Sequence, residues 1–447
     1  MKKFENFKMT ARVSLMLILC GCSTAIYYFL WNFYYNSHLV HAFRSEGRLF
    51  LVAVYFFVLF ISSAFLGVTR VDELRKSEII FYEAIALAFT NIIAYTQLCL
   101  VEVKLANPLG MVYIMASQVI LLVVWTFISY GFIHKVNPPE EMLIIYGSHL
   151  ATEIVYKMST MSDRYKILES VNVDVGYESV VEKIDKYPSI IICDVPARFR
   201  NDVLKYCYEK GKNIYVVPKI SDIIVRSAAD ITYFDSPIMR CTSKGLTVEQ
   251  LMVKRFFDIV LSALALIVLS PLFIVVSLAI KSEDGGPVFY KQLRNTKDLR
   301  KFEILKFRSM IVDAEKDGPK PAVDNDDRIT KVGRIIRKCR IDELPQIINI
   351  LKGDMSIVGP RPERVEHVEK YSADIPEFIA RYKVKGGLTG YAQVFGKYNT
   401  SAYNKLKMDL MYIQNYSFAL DVKLVIMTVK ILFQSESTEG FKDKKGR

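Results

Sequence analysis

Signatures of metal binding and of disulfide bonding are missing from this sequence. Its seven cysteines are scattered, it has only five histidines, and neither C-x-x-C nor H-E-x-x-H spacing occurs. Cys193, Cys207, Cys241 and Cys339 are too dispersed for a zinc site, while Cys20, Cys22 and Cys99 lie inside apolar runs. Such a set reads as reduced, cytosol-facing or membrane-buried thiols. A glycine fingerprint is also missing: where G-x-G-x-x-G would follow a first strand, Gly147-Ser148-His149 offers one glycine. Compositional bias is weak, with 51% hydrophobic and 24% charged residues. The mean hydropathy of +0.21 is nevertheless high for a soluble protein and low for one living mainly in lipid. An all-soluble enzyme and a polytopic transporter are both disfavoured, and the apolar residues must be concentrated somewhere. The 447 residues suit about three folding units. A net charge of +12 suits nucleic acid, phospholipid headgroups or phosphorylated substrates.

Four long apolar runs fill the first third: Val13 to Trp31, Leu49 to Val68, Ile79 to Val101 and Met111 to Ile133. Each can cross about 30 Å of hydrocarbon as a helix, and Glu83 is the one formal charge within them. The first run is too long and aromatic-rich for a cleavable signal peptide and reads as a retained span. Lys2, Lys3, Lys8 and Arg12 precede it, Arg44 and Arg48 follow it, Arg70, Arg75 and Lys76 follow the second run, and Lys104 alone follows the third. This alternation puts the N-terminus and everything after Lys135 on the cytoplasmic side. From Glu140 to Cys241 short apolar runs (Met142 to Tyr146, Ile190 to Cys193, Ile214 to Val217) alternate with helix-like segments such as Glu178 to Tyr187 and Arg198 to Lys210. That is the pattern of a small parallel sheet, structural or docking rather than nucleotide-binding.

A fifth apolar run, Ile259 to Ile280, could be another span. Its flanks carry Lys254, Arg255 and Lys281 without asymmetry, and Ser270-Pro271 sits at its centre, where proline removes a backbone hydrogen bond and bends the helix. A re-entrant helix-break-helix that returns to the cytoplasmic side is the expectation. Phe418 to Phe433 reads as an interfacial amphipathic helix or as a core helix with two snorkelling lysines, Lys423 and Lys430. The tail with Lys442, Lys444, Lys445 and Arg447 reads as a solvated end with some attraction to anionic lipid.

Beyond Lys281 the residue types suit phosphate chemistry. Lys306-Phe307-Arg308 sets two cations on one side of an extended segment, and Arg328, Lys331, Arg334, Arg337, Lys338 and Arg340 surround apolar residues at helical spacing. Asp342-Glu343-Leu344-Pro345 follows, with Asp342 expected to cap a helix running to about Leu351. Adjacent carboxylates beside a cationic helix suit a divalent cation or attack on phosphorus. Gly359-Pro360-Arg361-Pro362 makes a rigid turn presenting one guanidinium, whose fork matches phosphate.

These segments occur in order with Lys254-Arg255-Phe256-Phe257-Asp258, Gly286-Pro287-Val288-Phe289, Lys306 to Met310, Asp342 to Gln346 and Gly387-Leu388-Thr389-Gly390-Tyr391-Ala392-Gln393. Together they resemble the bacterial sugar transferases of the large monotopic phosphoglycosyl transferase type, most strongly from Leu251 to Phe441. The resemblance implies transfer of a hexose 1-phosphate from a UDP-sugar to undecaprenyl phosphate, with release of UMP, through a phosphosugar-enzyme intermediate and with Mg2+. It implies Asp342 as nucleophile, Glu343 as metal-binding and orienting partner, Arg361 on the nucleotide diphosphate, Pro360 shaping that pocket and Arg337 on the polyprenyl phosphate. Lys306 and Arg308 would support the acidic site or its phosphates. The implied fold class is a membrane α-helical region plus α/β: four transmembrane helices over 1–138, a Rossmann-like cytoplasmic domain over 139–242, and a mostly helical catalytic domain over 249–447. Its re-entrant helix would cover 256–281, broken at Ser270 and Pro271. Implied partners are membrane lipid, further copies of the chain and polysaccharide-assembly proteins, with nucleic acid set aside. Family members often have glycines after the Gln292-x-Arg294 pair, where this chain has Thr296 and Leu299. The competing readings are a membrane-bound glycosyltransferase that releases UDP and a non-catalytic scaffold of polysaccharide assembly.

Overall fold

The computed structural model describes residues 2–36, 43–69, 71–147, 150–233, 235–242, 245–314, 326–397 and 400–432. The chain divides into two compact units, Met1–Val217 and Pro218–Arg447.

In the first unit the four apolar runs become helices α1 (Lys2–Tyr34), α2 (Ser45–Leu66), α3 (Lys76–Glu102) and α4 (Leu109–Val136). Consecutive helices pack side by side, and α4 closes the bundle on α1. Outward positions such as Phe29, Phe33, Phe50, Phe57 and Ile92 stay exposed, as lipid-facing surface does. Inside runs a polar seam in which Gln118 donates to Tyr55 (2.8 Å) and Asn91 donates to Gln118 (2.9 Å). Helix α2 stops at Gly67, whose φ of 81° suits a left-handed cap.

The α/β pattern becomes β1 (Glu140–Tyr146), α5 (Leu150–Ser159), β2 (Tyr165–Asn172), α6 (Tyr177–Lys186), β3 (Ser189–Cys193), α7 (Ala197–Glu209) and β4 (Asn213–Val216). The sheet is parallel, in the order β2-β1-β3-β4. Its central strands are buried on both faces, which explains their unbroken apolar runs. Leu143, Ile145, Ile190 and Ile192 pack on Val180, Ile184 and Val203, and the alternate residues Met142, Ile144 and Ile191 pack on Ile154 and Met158. The one glycine of the expected turn, Gly147, permits a close backbone approach: a Cβ there would lie 2.5 Å from the Asp194 carbonyl oxygen. Ser148 and His149 lie outside the described residues.

The second unit begins earlier than the boundary near 242 that composition suggested. Helix α8 (Ile220–Arg226) buries Ile220 and Ile223 among Val358, Phe378, Leu406 and Leu410, and the hairpin β5 (Ala229–Tyr233) and β6 (Ser236–Arg240) follows it. Helix α9 (Val248–Asp284) is opened by a reciprocal capping box between Thr247 and Gln250 and closed by Gly285 at φ 70°. Where a helix-break-helix was expected, α9 runs as one assigned helix through Pro271. Pro271 cannot donate to the Ile267 carbonyl four residues back, and the Ser270 hydroxyl donates to that carbonyl at 2.7 Å, a back-bond that bends a helix without ending it.

A straight helix of this length would span about 55 Å, yet both ends of α9 dock on one unit. At its start Lys254 pairs with Asp421 (2.5 Å), Arg255 donates to the Ile350 and Leu351 carbonyls, and Asp258 accepts from Ser356 and the Ile357 amide. At its end Val276 and Ile280 pack with Phe307 and Ile336, and Asp284 pairs with Arg308. The middle, with Leu264, Ile267, Val268, Ile274 and Val275, is exposed.

The remaining elements are the hairpin β7 (Phe289–Asn295) and β8 (Lys301–Phe307), helices α10 (Lys331–Lys338) and α11 (Gln346–Lys352), β9 (Ser356–Val358), α12 (Val365–Asp374), β10 (Gly387–Thr389) parallel to β9, α13 (Tyr391–Phe395), α14 (Ala402–Gln414) and α15 (Phe418–Leu432). Helix α15 buries Asp421 and Leu424 in the core, so the core alternative describes it better than the interfacial one. The basic tail lies outside the described residues. In the turn between β7 and β8, Asp298 and Leu299 adopt φ of 57° and 59°, a conformation costly for side chains with a Cβ.

Removing one partner of the buried Lys254–Asp421 pair leaves an uncompensated charge. Asp421→Ala is expected to lower stability by about 3–5 kcal/mol, and the double variant Lys254→Met, Asp421→Leu to recover much of that loss, measured by thermal unfolding of the purified protein.

Candidate active site

Three separate segments bring the acidic pair and its cations together. Strand β8 supplies Lys306 one residue before its end. The segment after α10 turns sharply at Arg340, whose φ is 53°, into a single 3-10 turn, Ile341–Glu343. Asp342 therefore does not cap a helix, as the sequence suggested; α11 starts after Pro345. The loop after β9 supplies Arg361.

Glu343 is the hub. Its Oε1 accepts from Arg361 Nη2 at 2.6 Å and from Lys306 Nζ at 3.0 Å. Burial pushes the Glu343 carboxyl up, but the Arg361 and Lys306 charges outweigh it and hold the group well below the usual carboxylate range. Asp342 behaves oppositely. Burial raises it first, the Glu343 charge adds to the rise, and Lys306, Arg337 and Arg361 oppose it without cancelling it. Two neighbouring carboxylates driven apart in this way take different roles: Glu343 is a fixed anion, while Asp342 makes no hydrogen bond or ion pair among the described residues.

The Arg361 turn is stapled by its backbone. The Gly359 amide donates to Thr389, the Gly387 amide to Pro360, Arg294 to Pro362 and Arg381 to Arg361, at 2.8, 2.9, 3.2 and 2.9 Å. Gly359 is required, since a Cβ there would meet the Lys385 carbonyl oxygen at 2.4 Å. Arg381 is itself fixed by Asp409 at 2.8 Å, both side chains 1% exposed.

Of the residues singled out in the sequence, Lys306, Asp342, Glu343, Pro360 and Arg361 come together, with Arg337 near enough to pull on Asp342. Arg337 is half-buried and forms no ion pair of its own among the described residues. Arg308 goes elsewhere: β8 ends at Phe307, and the next side chain turns to Asp284, to which it donates. Ser270 and Pro271 lie in the exposed middle of α9. Asp258 and Arg294 were noted only as parts of motifs, and Asp284, Arg381 and Asp409 were missed; all five hold the scaffold.

Among the described residues no three His, Cys, Asp or Glu side chains converge. A two-carboxylate set fits Mg2+, which usually takes one or two carboxylates and completes its shell with water and substrate phosphate oxygens.

A family model described as bacterial sugar transferase matches residues 249–435. A UDP-glucose:undecaprenyl-phosphate glucose-1-phosphate transferase of Caulobacter vibrioides is 44% identical over 191 residues, covering 41% of this chain and 71% of that protein. A UDP-N-acetylgalactosamine-undecaprenyl-phosphate N-acetylgalactosaminephosphotransferase of Aeromonas hydrophila is 43% identical over 183 residues, 40% of this chain and 43% of that protein. A UDP-glucose:undecaprenyl-phosphate glucose-1-phosphate transferase of Klebsiella pneumoniae is 35% identical over 292 residues, 64% of this chain and 58% of that protein. The match thus spans about half the length of the Aeromonas and Klebsiella relatives.

Proposed function

The chain belongs to the bacterial sugar transferase family, and from that premise we propose that it moves a hexose 1-phosphate from a UDP-sugar to undecaprenyl phosphate. The reaction releases UMP and begins a lipid-linked glycan for capsule or exopolysaccharide. One observation carries this reading: Asp342, raised chiefly by burial and without a side-chain partner among the described residues, stands beside a Glu343 that holds Lys306 and Arg361 in place.

An Asp342 oxygen bonds to the β-phosphorus of the UDP-sugar. The bond from that phosphorus to the bridging oxygen breaks, and UMP departs with the electron pair. A phosphate oxygen of the lipid then attacks the same phosphorus, Asp342 leaves as a carboxylate, and the sugar ends on a lipid diphosphate. Arg361 binds the nucleotide diphosphate through its planar fork, Pro360 shapes the wall beside it, and Arg337, which has no ion pair among the described residues, takes the lipid phosphate. Lys306 lowers the cost of ionising Asp342. Asp342 and Glu343 would hold Mg2+, which would supply charge neutralisation of the phosphate oxygens.

Two substrates, one dissolved and one in lipid, require a site at the inner face of the plasma membrane. The docking of both α9 flanks on one unit supports a re-entrant course, with the exposed segment around Ser270-Pro271 in the leaflet. The alternation of basic residues between the four N-terminal runs supports a cytoplasmic catalytic unit.

Incubated with undecaprenyl phosphate and a panel of UDP-sugars, the purified protein is expected to release UMP; release of UDP would reject phosphosugar transfer. Asp342→Ala and Asp342→Asn should each lose at least about a thousandfold in rate, and full activity in both would remove Asp342 as nucleophile. Because the nucleophile must be ionised and its carboxyl is raised, the rate should fall with acid through a midpoint above the ordinary aspartate range. Lys306→Met removes the strongest opposing charge and should move that midpoint to still higher pH. A reporter placed after Arg447 is expected on the cytoplasmic side, and an external signal would defeat the re-entrant course.

A further inference from the structure

The four-helix bundle of the first unit contains an ionisable group for which the transfer reaction has no use. Glu83 lies two turns into α3, about 10 Å from its start at Lys76, and is 0% exposed. Its Oε1 accepts from Ser63 Oγ at 3.0 Å, whereas its Oε2 is buried without a partner. No Lys, Arg or His compensates it among the described residues. On α1, Ser23 Oγ and Thr24 Oγ1 are also buried and unpartnered. They follow Cys20 by three and four positions and so share its helix face, and the Cys20 thiol feels the Glu83 charge directly. From α2 the titratable group that faces Glu83 is the Tyr55 phenol. The buried polar side chains of α4, Gln118, Thr126 and Ser129, are uncharged.

We propose that Glu83, with the Ser23, Thr24 and Ser63 hydroxyls, forms a site for a small monovalent cation, a proton or a sodium ion, inside the bundle. A carboxylate enclosed by apolar helices without a basic partner must be neutralised by something that enters. The oxygens available are one carboxylate and hydroxyls, hard donors that suit a proton or an alkali cation. A purely structural clasp between α2 and α3 needs only the Ser63 hydrogen bond and would leave no orphaned oxygens on α1. The adjacent Tyr55–Asn91–Gln118 chain is of that satisfied kind, and the contrast singles out the Glu83 region. This inference is independent of the transfer chemistry, because it concerns the first unit alone.

The test is infrared difference spectroscopy on the full chain in lipid nanodiscs, comparing sodium with choline chloride and acid with alkaline buffer. A carboxyl band that responds to one of these exchanges and vanishes in Glu83→Gln is expected. A response to pH alone identifies the proton, and a response to sodium identifies the metal ion. If Glu83→Gln does not fold, Glu83→Asp should shift the same band. Difference spectra identical in wild type and the folded variant would overturn the site.

Discussion

An apolar helix anchored at both ends in one polar unit is the constraint on which the rest of the second unit depends. The start of α9 is held by Lys254, Arg255 and Asp258 through α11, β9 and α15, and its end by Asp284 and the Val276 and Ile280 side chains through β8 and α10. Those receiving elements are the ones that present the site. Phe307, which packs under the end of α9, directly follows Lys306. Ile336, in the same cluster, directly precedes Arg337. Glu283 extends the link by accepting from the first amides of α10, at Lys331 (2.7 Å) and Val332 (3.2 Å). The cations that face the acidic pair are thus fixed by the same packing that fixes the helix.

Within that frame the electrostatics are asymmetric by construction. Glu343 sits between two cations and is stabilised as an anion, which in turn orders the long Lys306 and Arg361 side chains. Buried ion pairs of this kind contribute little net stability because desolvation offsets the attraction; their value is in geometry. With Glu343 as the fixed charge, the neighbouring Asp342 feels repulsion and burial from one side and three cations from the other. A nucleophile toward a phosphoanhydride needs that balance: enough cationic field to ionise, and, among the described residues, no side-chain hydrogen bond that would have to be broken before attack.

Much of this was legible in the sequence because it depends on local chemistry. The four long apolar helices of the first unit, the parallel sheet, the Asp342-Glu343 pair and the Gly359 to Pro362 turn follow from runs, alternation and turn residues. Strand β2 was not foreseen, since Tyr165–Asn172 alternates exposed and half-buried residues at a sheet edge and carries no apolar run. Arg308 was expected beside Lys306 because residues two apart share a strand face, but the strand ends between them. The Asp342 cap failed for a similar reason: the left-handed Arg340 turns the chain before a helix can start. Arg381 and Asp409 could not be paired from sequence at all, because their partnership is a product of tertiary closure.

Buried carboxylates of the second unit are compensated inside the protein. Asp326, Glu343, Asp409 and Asp421 each lie against a Lys or Arg, and Asp258 accepts from the Ser356 hydroxyl and the Ile357 amide. Glu83 lies inside an apolar helix bundle and, among the described residues, has one partner, the Ser63 hydroxyl. A bundle that needed a polar clasp there could use the uncharged chemistry of its own Asn91 and Gln118, which is satisfied by Tyr55 and the Ser23 carbonyl. Retaining an acid at that depth makes physical sense if its charge is met from outside the chain, and the unpartnered hydroxyls on α1 supply the remaining oxygens such a guest would need.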